Sequence, residues 1–163
     1  MRNTLLFFVC FCTTIATYAQ TGWSDKSRLM PDKLRGLPIG LTLWHTNNPC
    51  VPIKEGDNYL WKHSTMVRAD VSDLEFVEAG SFIWYDSTGW HTNLKESVQD
   101  FAENFGCPDG KLPQHKVFTF VKNWRFGKQL YGGDALWYII ARDKMGKLFK
   151  GYGLIETEAK PAN

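Results

Sequence analysis

One stretch, NLKESVQDFAENFG from Asn93 to Gly106, carries a helical period in a chain otherwise written in short β-prone runs. Leu94, Val98, Phe101 and Phe105 fall on one stripe, while Lys95, Glu96, Gln99, Asp100 and Glu103 fall opposite. Asn93 and Glu96 have the spacing of a capping box, and Gly106 stands where a glycine ends a helix. A single amphipathic helix must bury its apolar stripe against something, and the flanking sequence offers only strands.

Before the helix, PIGLTLWHT, NYLWKHSTMVRA and LEFVEAGSFIWY are rich in aromatic and β-branched residues. Ala79-Gly80 interrupts the third run and predicts a bulge or tight bend. After it come VFTFVKNWRF, the glycine-bounded connection GKQLYGG, and ALWYIIA, whose unbroken apolar run suits a central strand covered on both faces. Asp143-Lys144-Met145-Gly146 predicts a hairpin turn, and LFKGYGLIETE returns beside ALWYIIA. Gly151 and Gly153 share one face there, where a large aromatic from a neighbouring strand could fill the gap. The expected fold is therefore α+β: one domain, with an antiparallel sheet of about six strands, three before and three after, packed on one helix.

The beginning of the chain reads as an export signal. Arg2 precedes an apolar run from Leu5 to Ile15, and Thr17 and Ala19 fit the small-residue positions of a cleavage site. The run is shorter than the roughly 20 apolar residues a membrane span needs. The expectation is a cleaved leader over 1–19, an arm over 20–37 and a domain over 38–163, secreted or periplasmic and not membrane-spanning after cleavage. Losing Arg2 lowers the net charge from +2 to +1, which argues against a nucleic-acid partner. Of four cysteines, Cys10 and Cys12 leave with the leader, and the remaining Cys50 and Cys107 would form one disulfide in an oxidising compartment.

The tetrapeptide WHTN occurs at Trp44–Asn47 and again at Trp90–Asn93, but the flanks of the two copies do not match. It is read as coincidence: the first copy ends a strand and opens a turn, and the second precedes and caps the helix. The four histidines, His45, His63, His91 and His115, lack the spacing of a metal site, so no metal and no cofactor is expected. Nucleophile elbow, phosphate loop and HExxH are all missing, and Gly132-Gly133 leads into a strand rather than a helix. Asp73 or Glu75 working with His91 or His115 would be the only route to a small hydrolase.

Seven tryptophans remain to be explained. Trp44, Trp61, Trp84 and Trp137 sit in apolar runs and read as core. Trp90, His91, Trp124, Arg125 and Tyr131 sit beside polar or glycine-bounded segments, where aromatic rings serve recognition. They are the expected ligand-binding residues of a non-catalytic module for a small amphipathic ligand, a glycan or a partner protein. A protein inhibitor acting by surface complementarity is the other alternative to the hydrolase.

Overall fold

The computed structural model describes residues 28–84 and 89–161. The leader, its cleavage point and the first part of the arm lie outside them. The described part of the arm contains a short 3-10 turn, Asp32–Leu34, which buries Leu34 completely.

Eleven strands and one α-helix follow among the described residues: β1 Leu41–Thr46, β2 Ile53–Glu55, β3 Asn58–Trp61, β4 Ser64–Ala69, β5 Leu74–Trp84, β6 His91–Glu96, α1 Val98–Phe105, β7 Lys111–Leu112, β8 Val117–Phe120, β9 Arg125–Gly127, β10 Gly133–Arg142 and β11 Leu148–Thr157. They form three sheets, not one of six strands. The largest runs β11-β10-β5-β6 with β7 beside β5, the second is β1-β4-β8, and the third, smaller, is β2-β3-β9. Pairing within each sheet is antiparallel.

β10 is central, as its composition predicts, and separates two apolar clusters. Trp137, Ile139 and Ala141 face the main core, with Leu41, Leu43, Val67, Phe101 and Phe105; Leu136, Tyr138 and Ile140 face outward onto Leu34 and Phe82. The helix contributes stacked rings: Phe101 lies 4.3 Å from Phe76 and 4.6 Å from Phe105, centre to centre. Trp137 of the neighbouring strand stands opposite Gly153, while the side-chain space at Gly151 and Gly153 is taken by β1. A Cβ on Gly151 would lie 2.6 Å from Leu41 Cβ, and one on Gly153 2.7 Å from Leu43 O, so β1 crosses β11 backbone against backbone. The irregularity expected near Ala79-Gly80 is a register shift between Ser81 and Phe82 in the β5–β6 pairing.

Three local expectations need correction. The helix begins later than its stripe: Ser97 caps it and forms the capping box with Asp100, while Asn93, Leu94 and Glu96 belong to β6. Ser97-x-x-Asp100 offers the same reciprocal bonds as Asn93-x-x-Glu96, and pairing with β5 claims the earlier residues. The second WHTN copy therefore opens a strand instead of capping a helix. VFTFVKNWRF is not one strand either, because β8 and β9 join different sheets across a turn.

The third correction concerns the cysteines. Cys50 and Cys107 are both buried free thiols, and no disulfide joins them. Each is engaged by a different carbonyl: the Cys50 thiol donates to Lys62 O at 3.5 Å and the Cys107 thiol to Lys111 O at 2.8 Å. Burial pushes both thiols up to about 11, which leaves little thiolate near neutrality. Ellman titration of unreduced protein is expected to find both thiols after unfolding and neither rapidly in the native state. Silence after unfolding would show a bridge.

Candidate functional site

The main core changes character along its length. On the chain from β3 into β4, alternate residues Trp61, His63, Thr65, Val67 and Ala69 are buried, so polar side chains occupy the β3 end of an otherwise apolar row. His45 stands directly opposite Thr65 in the β1–β4 register. Asn123, in the β8–β9 turn, is fully buried and donates from Nδ2 to Thr65 Oγ1 at 2.7 Å. That leaves the Thr65 hydroxyl proton for His45 Nδ1, 2.9 Å away, and His45 Nε2–H for Gly153 O at 3.3 Å. The absence of a side chain on Gly153 is what lets the His45 ring approach: a Cβ there would lie 3.2 Å from Nε2.

The His63 ring is 5.9 Å from that of His45 and edge-on to it. His63 Nδ1 lies 3.4 Å from Trp61 O, which can only accept, so Nδ1 carries the proton and Nε2 holds a lone pair. That Nε2 and Asn123 Oδ1 are buried without a hydrogen-bond partner. Burial keeps both imidazoles neutral, pulling His45 down to about 4 and His63 to about 3; the Arg125 charge adds to the effect on both.

Arg125 pairs with Trp61 across β3–β9 and thus shares its inward face. Its guanidinium carbon lies 5.4 Å from the centre of the Trp137 ring, and Nη1 donates to the neighbouring Trp124 O at 3.1 Å. Among the described residues no carboxylate lies within ion-pair distance of it, and burial lowers its pKa. Tyr131 stacks on Trp61, 4.0 Å between centres and 30° between planes, and remains 42% exposed. Glu96, at the end of β6, also acts on Arg125 through its charge. Glu96 Oε1 accepts from Asn104 Nδ2 at 3.0 Å, Oε2 is buried without a partner, and burial raises the carboxyl's pKa.

This arrangement suits holding a molecule better than attacking one. The Thr65 hydroxyl is committed to two hydrogen bonds, the Cys50 thiol is held protonated, and the histidines are too acidic as conjugate acids to act as bases near neutrality. The carboxylates considered for hydrolysis are engaged elsewhere. Asp73 Oδ1 accepts the Gln114 amide at 2.8 Å, and Glu75 pairs with Arg142 at 3.0 Å, beside a cleft of about 320 Å³. Among the described residues no group of three or more histidine, cysteine, aspartate or glutamate side chains is placed to hold a metal.

The five expected ligand residues do not share one place. Arg125 and Tyr131 come together at the polar end. Trp124 lies just outside, 37% exposed, with Lys62 Nζ 4.6 Å over its ring. His91 opens β6, opposite Ile83 in an edge strand. Trp90 is on the outward side of the large sheet, packed with the Leu34 cluster and edge-on to Trp84 at 5.3 Å. A cleft of about 580 Å³ opens there between Trp84, Trp90, Phe82 and Met30. Its charged neighbours are already matched as Arg28–Asp134, Lys33–Glu78 and Arg35–Asp32. The polar end holds three buried polar atoms without a hydrogen-bond partner, His63 Nε2, Asn123 Oδ1 and Glu96 Oε2, which makes it the stronger candidate. Of the four tryptophans expected in the core, Trp61 and Trp137 are buried and Trp44 and Trp84 half-buried.

Sequence reasoning missed His45, His63, Thr65, Asn123 and Glu96. The first three could have been found by following the two-residue period of β1 and β4 through the polar letters. Asn123 could not, because its burial depends on how the β8–β9 turn folds back.

The fold and site together define a mostly β, α+β protein with antiparallel sheets, one described α-helix and a core that is polar at one end. No described helix is long and apolar enough to cross a membrane. No family model matches the chain, and no curated protein matches it. Among solved structures it is similar to a Bordetella pertussis protein carrying a provisional ApaA designation, at 10% identity and a TM-score of 0.49, over 74% of this chain and 96% of that one.

Proposed function

We propose that this protein is an exported, non-catalytic binding module that takes a small amphipathic ligand at the polar end of its core. One observation carries the reading: Arg125 is half-buried with no carboxylate within ion-pair distance among the described residues, near buried His63 and Asn123 atoms that have no hydrogen-bond partner. Leaving such groups unmatched costs stability, and a ligand that completes their bonds would recover it. Tyr131 over Trp61, with Trp137 behind Arg125, supplies the apolar walls. Export follows from the leader, read from Arg2, the apolar run and the small residues at Thr17 and Ala19.

Tryptophan emission reports on this site, because Trp61 and Trp137 line it. Titration with a metabolite and glycan panel is expected to give saturable quenching. Tyr131→Ala should weaken that binding at least tenfold while costing about 1 kcal/mol of stability, the value of one exposed ring pair. Unchanged affinity in Tyr131→Ala would remove the site from this end of the core.

A partner-protein reading has its own support. On the outer face of the small sheet, Ile53, Leu60 and Phe126 form one cross-strand row, and Phe126 is 76% exposed next to Trp124. Under this reading Phe126→Ser would abolish an association and leave small-ligand quenching intact.

A further inference from the structure

We infer that the outer face of the small sheet docks on an anionic lipid surface, with the Trp124 and Phe126 rings entering the headgroup layer and Lys62, Lys122 and Lys128 meeting the phosphates. The inference is separate from the small-ligand reading, and it commits the Phe126 row to a bilayer instead of a partner protein.

Strand alternation sorts the small sheet into two faces. Arg125 and Trp61 turn inward, while Phe126 stands opposite Leu60, and Leu60 opposite Ile53, on the outside. Lys62 follows Trp61 and so emerges on the Leu60 side, where its Nζ lies 4.6 Å over the Trp124 ring. Lys122 Nζ approaches the same ring at 5.9 Å. Two ammonium groups thus border one exposed indole, beside a phenyl ring that faces water.

The charge of this region is one-sided. Between Asp109 and Asp134 the chain has no acidic residue, yet it carries Lys111, Lys116, Lys122, Arg125 and Lys128. Val121, Trp124 and Phe126 are exposed in the same stretch. The acids of the sheet are Glu55, which pairs with Lys62, and Asp57 in the β2–β3 turn. Among the described residues no carboxylate lies within ion-pair distance of Lys54, Lys122 or Lys128. Aromatic rings set among unmatched lysines suit an anionic bilayer, where the rings rest at headgroup depth and the lysine ammoniums reach the phosphates.

Other occupants answer only part of this face. A second copy docked about a two-fold axis would bring two lysine-rich faces together. The contact face of a partner protein is poor in lysine, whereas here the cations beside the rings are lysines. A soluble polyanion would pair the lysines and leave Phe126 and Ile53 in water.

Co-sedimentation with vesicles tests this: phosphatidylcholine alone against phosphatidylcholine carrying about one-third phosphatidylglycerol. Binding to the anionic vesicles should be at least tenfold tighter and should weaken as salt rises from about 0.1 M to about 0.5 M. Lys122→Gln together with Lys128→Gln should weaken it roughly thirtyfold at low salt, about fivefold for each charge. Phe126→Ser, at a side chain too exposed to support the fold, should weaken it at least fivefold with unchanged circular dichroism. Equal binding to both vesicles, binding to neither, or full binding by the Phe126 variant overturns the assignment. A dimer in size exclusion that Phe126→Ser dissociates, without vesicle binding, would give the face to a second copy instead. Tyr131→Ala, whose ring stacks on inward-facing Trp61, should leave vesicle binding unchanged, so the lipid and small-ligand readings fail separately. A loss in that variant would overturn the placement on the outer face.

Discussion

Trp137→Ala is expected to destabilise the protein by roughly 3–5 kcal/mol, the cost of removing a large aromatic from a packed interior. Trp137 is 2% exposed and stands in the central strand opposite Gly153, so no side chain across the β10–β11 pair can move in to fill the space. The same ring backs the Arg125 guanidinium, and its loss leaves that charge with a poorer wall. Urea denaturation read by far-ultraviolet circular dichroism measures the effect directly. A loss below about 1 kcal/mol would mean that the core collapses around the site far more readily than the backbone contact between β1 and β11 permits.

Acid should be the second large lever. His45 and His63 are held neutral in the folded protein, down to about 4 and about 3 from an ordinary 6.5. Burial is the main cause, and Arg125 from β9 and, for His63, the neighbouring His45 push the same way. The Gly153 and Trp61 carbonyls, which would favour an imidazolium, do not offset it. Depressed values mean that the unfolded chain binds protons that the folded one refuses. Stability is therefore complete above pH 6.5 and falls as pH drops from 6.5 toward 4 and 3. At about 1.4 kcal/mol per pH unit for each histidine, the loss by pH 4.5 is on the order of 5 kcal/mol. That is comparable with the whole stability of many domains. Urea midpoints at pH 7 and pH 5 should separate clearly, and His63→Gln should remove about half of the dependence. A flat profile between those pH values would contradict the burial of the pair.

How far the sequence reached follows from what each signal depends on. The central strand was legible in ALWYIIA because a strand covered on both faces leaves an unbroken apolar run. The helix was legible from Phe101 and Phe105, but its start was not, since Asn93 and Ser97 both begin capping boxes and only pairing with β5 decides between them. The division into three sheets was hidden for a similar reason: VFTFVKNWRF is β-prone throughout, and the break between β8 and β9 is set by which strand each half meets. The disulfide expectation weighed compartment and count, whereas the outcome depends on where the fold places each thiol. At the site, Arg125 and Tyr131 were visible as polar and glycine-flanked positions. The buried partners were not, because a histidine or asparagine looks the same in sequence whether it faces water or the core.

The central claim is that Arg125 is kept for a ligand and not for the fold, and one variant separates these directly. Arg125→Met retains the length and the packing over Trp137 while removing a desolvated charge that has no carboxylate partner. Thermal melting of ligand-free protein should show a midpoint unchanged or raised by about 3 °C, equivalent to roughly 1 kcal/mol for a chain of this size. A midpoint lowered toward that of Trp137→Ala would make Arg125 a structural residue and would contradict the account.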